Sequence, residues 1–183
     1  MINKEMTTQE IEKELNCHGD FLQIDMIDRF TKNPLSNEIK IFLYKKLMEL
    51  YKNNKMPLEA AKIAKNIAML SESYKEKEKY HIAEAELYII AGNFEKVNSA
   101  MKNAMVNASE TEKENIIYTI KDFYKIQAEI YEKEKRRRYA SEIYGKILEM
   151  NLVPSERQQI KEKLLNLYDK LGKTKEYFIL KKA

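Results

Sequence analysis

The densest chemistry in the sequence is Lys133-Glu134-Lys135-Arg136-Arg137-Arg138, five cations in six positions. In an exposed turn between two helices, three consecutive arginines can hold phosphate oxygens or acidic side chains through planar, forked donors. About three phosphates engaged there would give a log–log salt slope near −3. The competing reading is a solvated loop tip whose arginines pair with Glu132, Glu134 or Glu142. Charge is unevenly placed: residues 121–183 carry 16 Lys and Arg against 10 Asp and Glu, whereas residues 1–120 carry 17 against 19. Soft ligands are scarce. Cys17, His18 and His81 are the only thiol and imidazoles, and a tetrahedral zinc site needs four such ligands at defined spacing. None of the 4 glycines stands in a phosphate-cradling loop, and no carboxylate pair is isolated on an apolar face. A non-enzyme without metal or cofactor is expected.

The elements that must carry these residues are helical. The chain has 183 residues, 44% hydrophobic and 34% charged, with 12 Tyr, 9 Met and no Trp. Its apolar residues are too many and too evenly spread for a disordered chain. With 4 Gly and 3 Pro, it lacks the turn signals that a β-sandwich or barrel needs every 8–12 residues. The abundant Lys, Glu, Ile, Leu, Ala and Met favour helix. Cys17 alone cannot form an internal disulfide. The first residues lack the apolar core of a signal peptide, and no apolar run approaches the ~20 residues of a membrane span. The expected setting is cytoplasmic, away from membranes.

Four tyrosines reveal a repeat. Tyr51, Tyr88, Tyr131 and Tyr168 are spaced by 37, 43 and 37 residues, each late in a helical apolar pattern and each followed by a short polar break. The break positions Gly19, Lys55, Gly92, Lys135 and Gly172 advance by 36, 37, 43 and 37. A unit of two helices fits that period, and one hairpin cannot bury its own apolar face, so neighbours must stack. Helices are predicted over 7–16, 20–32, 36–51, 57–70, 73–91, 94–107, 111–133, 137–150, 155–171 and 174–182. Thr7 and Glu10 form a capping box, Ser36 is an N-cap, Pro57 suits a first turn and Pro154 marks a boundary. The marker tyrosines are expected to plug the interfaces between hairpins, and the methionines to fill the core.

Ala83 to Tyr88, Ala91-Gly92-Asn93-Phe94 and Ala104-Met105 together resemble a tetratricopeptide (TPR) repeat, and the units around Tyr51, Tyr131 and Tyr168 resemble it more loosely. Val97 and Tyr177 stand where that family commonly has alanine. The fold this implies is all-α: a single domain over 1–183, a right-handed α-solenoid of about five hairpins. Its repeats would be a degenerate hairpin at 7–33 and clearer ones at 36–71, 73–107, 111–151 and 155–183. The resemblance further implies a scaffold whose first helices line a concave groove for a peptide or helix of a partner. By analogy the groove residues are Lys45, Ile82, Lys125 and Glu162, six before each marker, and Glu49, Glu86, Glu129 and Asn166, two before. Ile82 and Ile89 would receive an apolar anchor, and Glu49, Glu86 and Glu129 would select a basic or amphipathic segment. Lys45–Glu49 and Lys125–Glu129 are spaced to pair along their helices. Only Lys45 fits a carboxylate clamp, so a chaperone-tail clamp is disfavoured. The leading expectation is a protein-binding adaptor. The alternative is an RNA- or ribosome-associated factor using Lys133, Lys135, Arg136, Arg137 and Arg138. Self-association through Tyr177, Phe178, Ile179 and Leu180 is a third option.

Overall fold

Every regular element of the structure, a computed structural model that describes residues 6–182, is helical. Ten helices occur among the described residues: α1 (Thr8–Leu15), α2 (Asp20–Phe30), α3 (Asn37–Asn53), α4 (Pro57–Leu70), α5 (Tyr74–Ile90), α6 (Phe94–Ala104), α7 (Glu110–Lys133), α8 (Arg137–Leu148), α9 (Pro154–Lys170) and α10 (Thr174–Lys182). Their starts follow local chemistry. The Thr7 hydroxyl accepts from the Glu10 amide while the Glu10 carboxylate accepts from the Thr7 amide, closing the capping box of α1. The Ser36 hydroxyl caps α3, and prolines open α4 and α9, where a missing N–H removes no helical bond. The C-terminus of α6 comes three residues earlier than periodicity predicts. Past Ala104 the amides of Val106 and Ala108 bond carbonyls only three residues back, a tighter turn that ends the helix.

The helices end in a shared device. Lys55, Gly92, Lys135 and Gly172 all have left-handed backbone, with φ of 57°, 71°, 60° and 67°. In each, the amide of the following residue bonds the carbonyl of a marker tyrosine: Met56 to Tyr51, Asn93 to Tyr88, Arg136 to Tyr131 and Lys173 to Tyr168, all at 2.8–2.9 Å. The left-handed residue itself bonds one carbonyl further along, at Lys52, Ile89, Glu132 and Asp169. These are four Schellman closures, and they explain why break and tyrosine keep a fixed spacing of four residues. The first break differs. Gly19 has φ −70° and serves as the N-cap of α2, so the upstream copy lacks this closure.

Lysine in the left-handed region is strained where glycine is not. Lys55→Gly and Lys135→Gly will therefore each raise stability, by about 0.5–1 kcal/mol after the extra freedom of the unfolded chain is discounted. Urea midpoints at constant m would register this, and a fall in either midpoint would contradict it.

The described chain groups into two compact units, up to Ser109 and from Glu110 onward. The boundary coincides with the 43-residue interval of the repeat, whose extra length is taken up by the 24-residue α7. In the first unit α2 packs on α3, α3 on α4, α4 on α5 and α5 on α6. Ala60, Ala61, Ala64 and Ala68 of α4 are fully buried and let α3 and α5 approach it closely. Leu43, Leu47, Ile67 and Ile89 complete that core, and Lys46 of α3 ties α1 down through Asn16 and Glu12. In the second unit α7 packs on α8, α8 on α9 and α9 on α10. Its core is Ile116, Ile120, Tyr124, Ile143, Tyr144, Ile147 and Leu164. Arg157 of α9 donates to the Leu148 and Met150 carbonyls, covering the open end of α8.

Candidate functional sites

In the first unit the predicted groove residues lie on α3 and α5. Glu49 is exposed, Lys45, Ile82 and Glu86 are half-buried, and the Lys45 ammonium sits 5.9 Å from the Tyr80 ring centre. Ile89 does not take the role expected of it. It is fully buried, with Leu87 and Tyr88 beside it also buried, because α4 and α6 both pack on α5 and enclose its last turn. It belongs to the core and cannot receive a partner's anchor. Nor does Lys45 pair with Glu49.

An open groove of about 490 Å³ nevertheless involves Lys45. Ile41 and Phe42 of α3 and Leu70 of α4 supply apolar surface, while Glu38, Glu72 and Glu76 add three carboxylates. The sequence reading missed all six. Glu38, Ile41, Phe42 and Lys45 are spaced by three, four and seven residues, one stripe of a helix, and that spacing was the available signal.

In the second unit Lys125 does not pair with Glu129. Its ammonium is held by Glu156 of α9 and lies 3.7 Å from Asp122. Glu156 also accepts from Lys121 at 3.0 Å, and both partners of that bridge are largely buried, at 9% and 16% side-chain exposure. Burial pushes the Glu156 carboxyl up, but Lys125 and Lys121 outweigh it and hold the group below its ordinary value. Glu129 is met instead by Lys163 of α9, at 3.6 Å. Two of the aligned positions are thus tied into the contact between α7 and α9.

Glu162 and Asn166 share one cleft with part of the basic turn. A recess of about 460 Å³ is lined by Glu132 of α7, Lys135, Arg137 of α8, and Glu162, Lys163, Asn166, Leu167 and Lys170 of α9. Two sets of residues that the sequence separates therefore converge. Behind the recess the buried Tyr144 hydroxyl accepts from Lys163, one of its lining residues, at 3.2 Å. Burial, and secondarily the Glu132 carboxylate, pushes the Tyr144 phenol well above its ordinary value. Gln158 donates to Glu162 at 2.8 Å. The Glu162 carboxylate of the recess thus has a partner on its own helix.

All six residues of the 133–138 turn are exposed. The Arg136 guanidinium lies 4.5 Å from the ring centres of both Tyr131 and Tyr139 and 3.5 Å from Glu134. Arg138 pairs with Glu142 at 3.3 Å. Lys133, Lys135 and Arg137 form no ion pair among the described residues.

Elsewhere, the exposed Cys17 thiol lies near the Lys13 carbonyl, and His81 sits 2.9 Å from the buried Glu84 carboxylate. Among the described residues no group of three or more His, Cys, Asp or Glu could hold a metal ion. No described helix is long and apolar enough to cross a membrane. Compared with family models, curated proteins and solved structures, the chain matches none.

Proposed function

We propose that the chain is a non-enzymatic adaptor, a right-handed, TPR-like α-solenoid that docks a peptide or helix of a partner protein on the first helices of its hairpins. The observation that carries the reading is the fourfold recurrence of one Schellman closure on a marker tyrosine, joining helices that pack on their neighbours in sequence. Such units build extended surfaces, and extended surfaces suit segments better than small substrates. The groove beside α3 and α5 has the composition for this role. Ile41, Phe42 and Leu70 accept apolar side chains, while Glu38, Glu72 and Glu76 favour a segment carrying Lys or Arg.

The test uses a labelled amphipathic peptide of leucines and lysines at helical spacing. Glu72→Lys with Glu76→Lys will weaken its binding by about five- to thirtyfold, from the loss and reversal of two rim charges at up to about 1 kcal/mol each. Circular dichroism should stay unchanged, since both residues are exposed. Equal affinity for the variant and the parent would sink the assignment of this groove.

A further inference from the structure

We propose that the recess between the α7–α8 turn and α9 binds the backbone of a single-stranded nucleic acid, with Tyr139 as a surface on which a base stacks. The recess carries an excess of cations. Its lining sets four cations, Lys135, Arg137, Lys163 and Lys170, against two carboxylates, of which Glu162 is engaged by Gln158. Lys163 is engaged by Glu129 and Tyr144. Lys135, Arg137 and Lys170 are not, for none forms an ion pair among the described residues. They come from two parts of the chain, the first two from the turn that leads into α8 and the last from the end of α9. Three unmatched cations around one recess make a site for oxyanions.

The same turn supplies an aromatic face. Tyr139 is 47% exposed, and Arg136 lies over its ring. A tyrosine held by arginine beside a cationic recess is the combination that binds single strands with little regard to sequence, since phosphates meet cations and bases meet rings. An acidic peptide would use the cations and leave the ring idle. The charge distribution agrees. Residues 110–183 hold 17 Lys and Arg against 13 Asp and Glu, while residues 1–109 hold 16 of each, so the second unit carries the whole net charge of +4.

Fluorescence anisotropy with the full chain tests this, using labelled oligomers of ten uridines, ten thymidines and ten glutamates. Both oligonucleotides should bind at low salt, with a log–log salt slope of about −2 to −3 for three or four phosphates on a single strand. The two arms separate RNA from DNA as the source of the backbone. Lys135→Gln/Arg137→Gln/Lys170→Gln should weaken binding about tenfold or more and flatten the slope by about 2. Tyr139→Ala should weaken it about tenfold, one stacking contact, and leave the slope unchanged. Lys175→Gln/Lys181→Gln/Lys182→Gln removes equal charge outside the recess and should have little effect. Three results would overturn the proposal: no binding at low salt, equal loss in the two triple variants, or the glutamate oligomer bound as tightly as the nucleic acids.

Discussion

Glu156→Ala will destabilise the second unit by about 3 kcal/mol, the low end for breaking a buried ion pair from one side. Glu156 joins α9 to two lysines of α7, and the Lys121 ammonium is nearly sealed from solvent. Without the carboxylate, Lys121 keeps its desolvation penalty, and the face of Tyr118, 4.9 Å away, offsets little of it. A unit of this size loses roughly 4–8 °C of Tm per kcal/mol, so the drop should be roughly 12–24 °C. Because a buried pair can often be replaced by apolar groups at little net cost, Lys121→Met/Glu156→Leu should recover most of the loss. Failure of that recovery would mean that the lysine stem and carboxylate fill a shape the apolar pair cannot.

The same residue gives the protein an acid-side dependence with a fixed sign. The folded-state carboxyl of Glu156 is held below its ordinary value of 4.5. A depressed folded value means that the stabilisation is fully present above that ordinary range and is lost as pH falls through the folded value. Urea midpoints of the parent should therefore fall on acidification more steeply than those of Glu156→Ala, which lacks the group. Parallel pH profiles would show that Glu156 is solvated rather than bridged. Amide exchange in α7 and α9 would locate the loss.

How far the architecture could be read from residues depended on how local its causes are. Helix starts at Thr7, Ser36, Pro57 and Pro154 are set by one or two side chains, and the Schellman turns by a carbonyl four residues before the break. Both are visible in a linear string. Gly19 misled because glycine also serves as an N-cap, though less often than it closes a left-handed turn. The sites were less legible, since helical spacing shows only partners on the same helix. Lys125 lies four residues from Glu129, yet it chose Glu156, 31 positions on, and Glu129 took Lys163. Contacts between helices decide such choices, and no spacing rule within one helix contains them. Ile89 failed for a related reason: periodicity places it on the stripe of Ile82, but only the packing of α4 and α6 shows how deep that end of α5 lies. The convergence of Lys135 and Arg137 with Asn166 and Lys170 is likewise a product of the hairpin, not of either helix alone.

The marker tyrosines offer the sharpest test of what holds the repeat together. Tyr88→Ala should lower the stability of the first unit by about 4 kcal/mol, the cost of deleting a buried ring and leaving a cavity. Its ring is 4% exposed in the last turn of α5, between neighbours α4 and α6, with Lys96 of α6 over one face at 5.5 Å. Burial, and then the Glu84 carboxylate, pushes its phenol above the ordinary range, so the ring end is partly dry as well. Two explanations of the tyrosine remain to be separated, the ring as a plug and the hydroxyl as an anchor. If the ring acts, Tyr88→Phe keeps nearly all the stability and Tyr88→Leu loses about half as much as alanine. If the hydroxyl acts, phenylalanine loses nearly what alanine does. Should Tyr88→Ala fail to fold, the leucine and phenylalanine variants still discriminate. The last marker supplies an internal scale. Tyr168 closes the same Schellman turn but is half-buried, against an α10 that buries none of its own residues. Tyr168→Ala should therefore lose about 1–2 kcal/mol, in proportion to the smaller area withdrawn from water. Equal losses at Tyr88 and Tyr168 would assign the effect to the turn they share, and a graded loss assigns it to packing between layers.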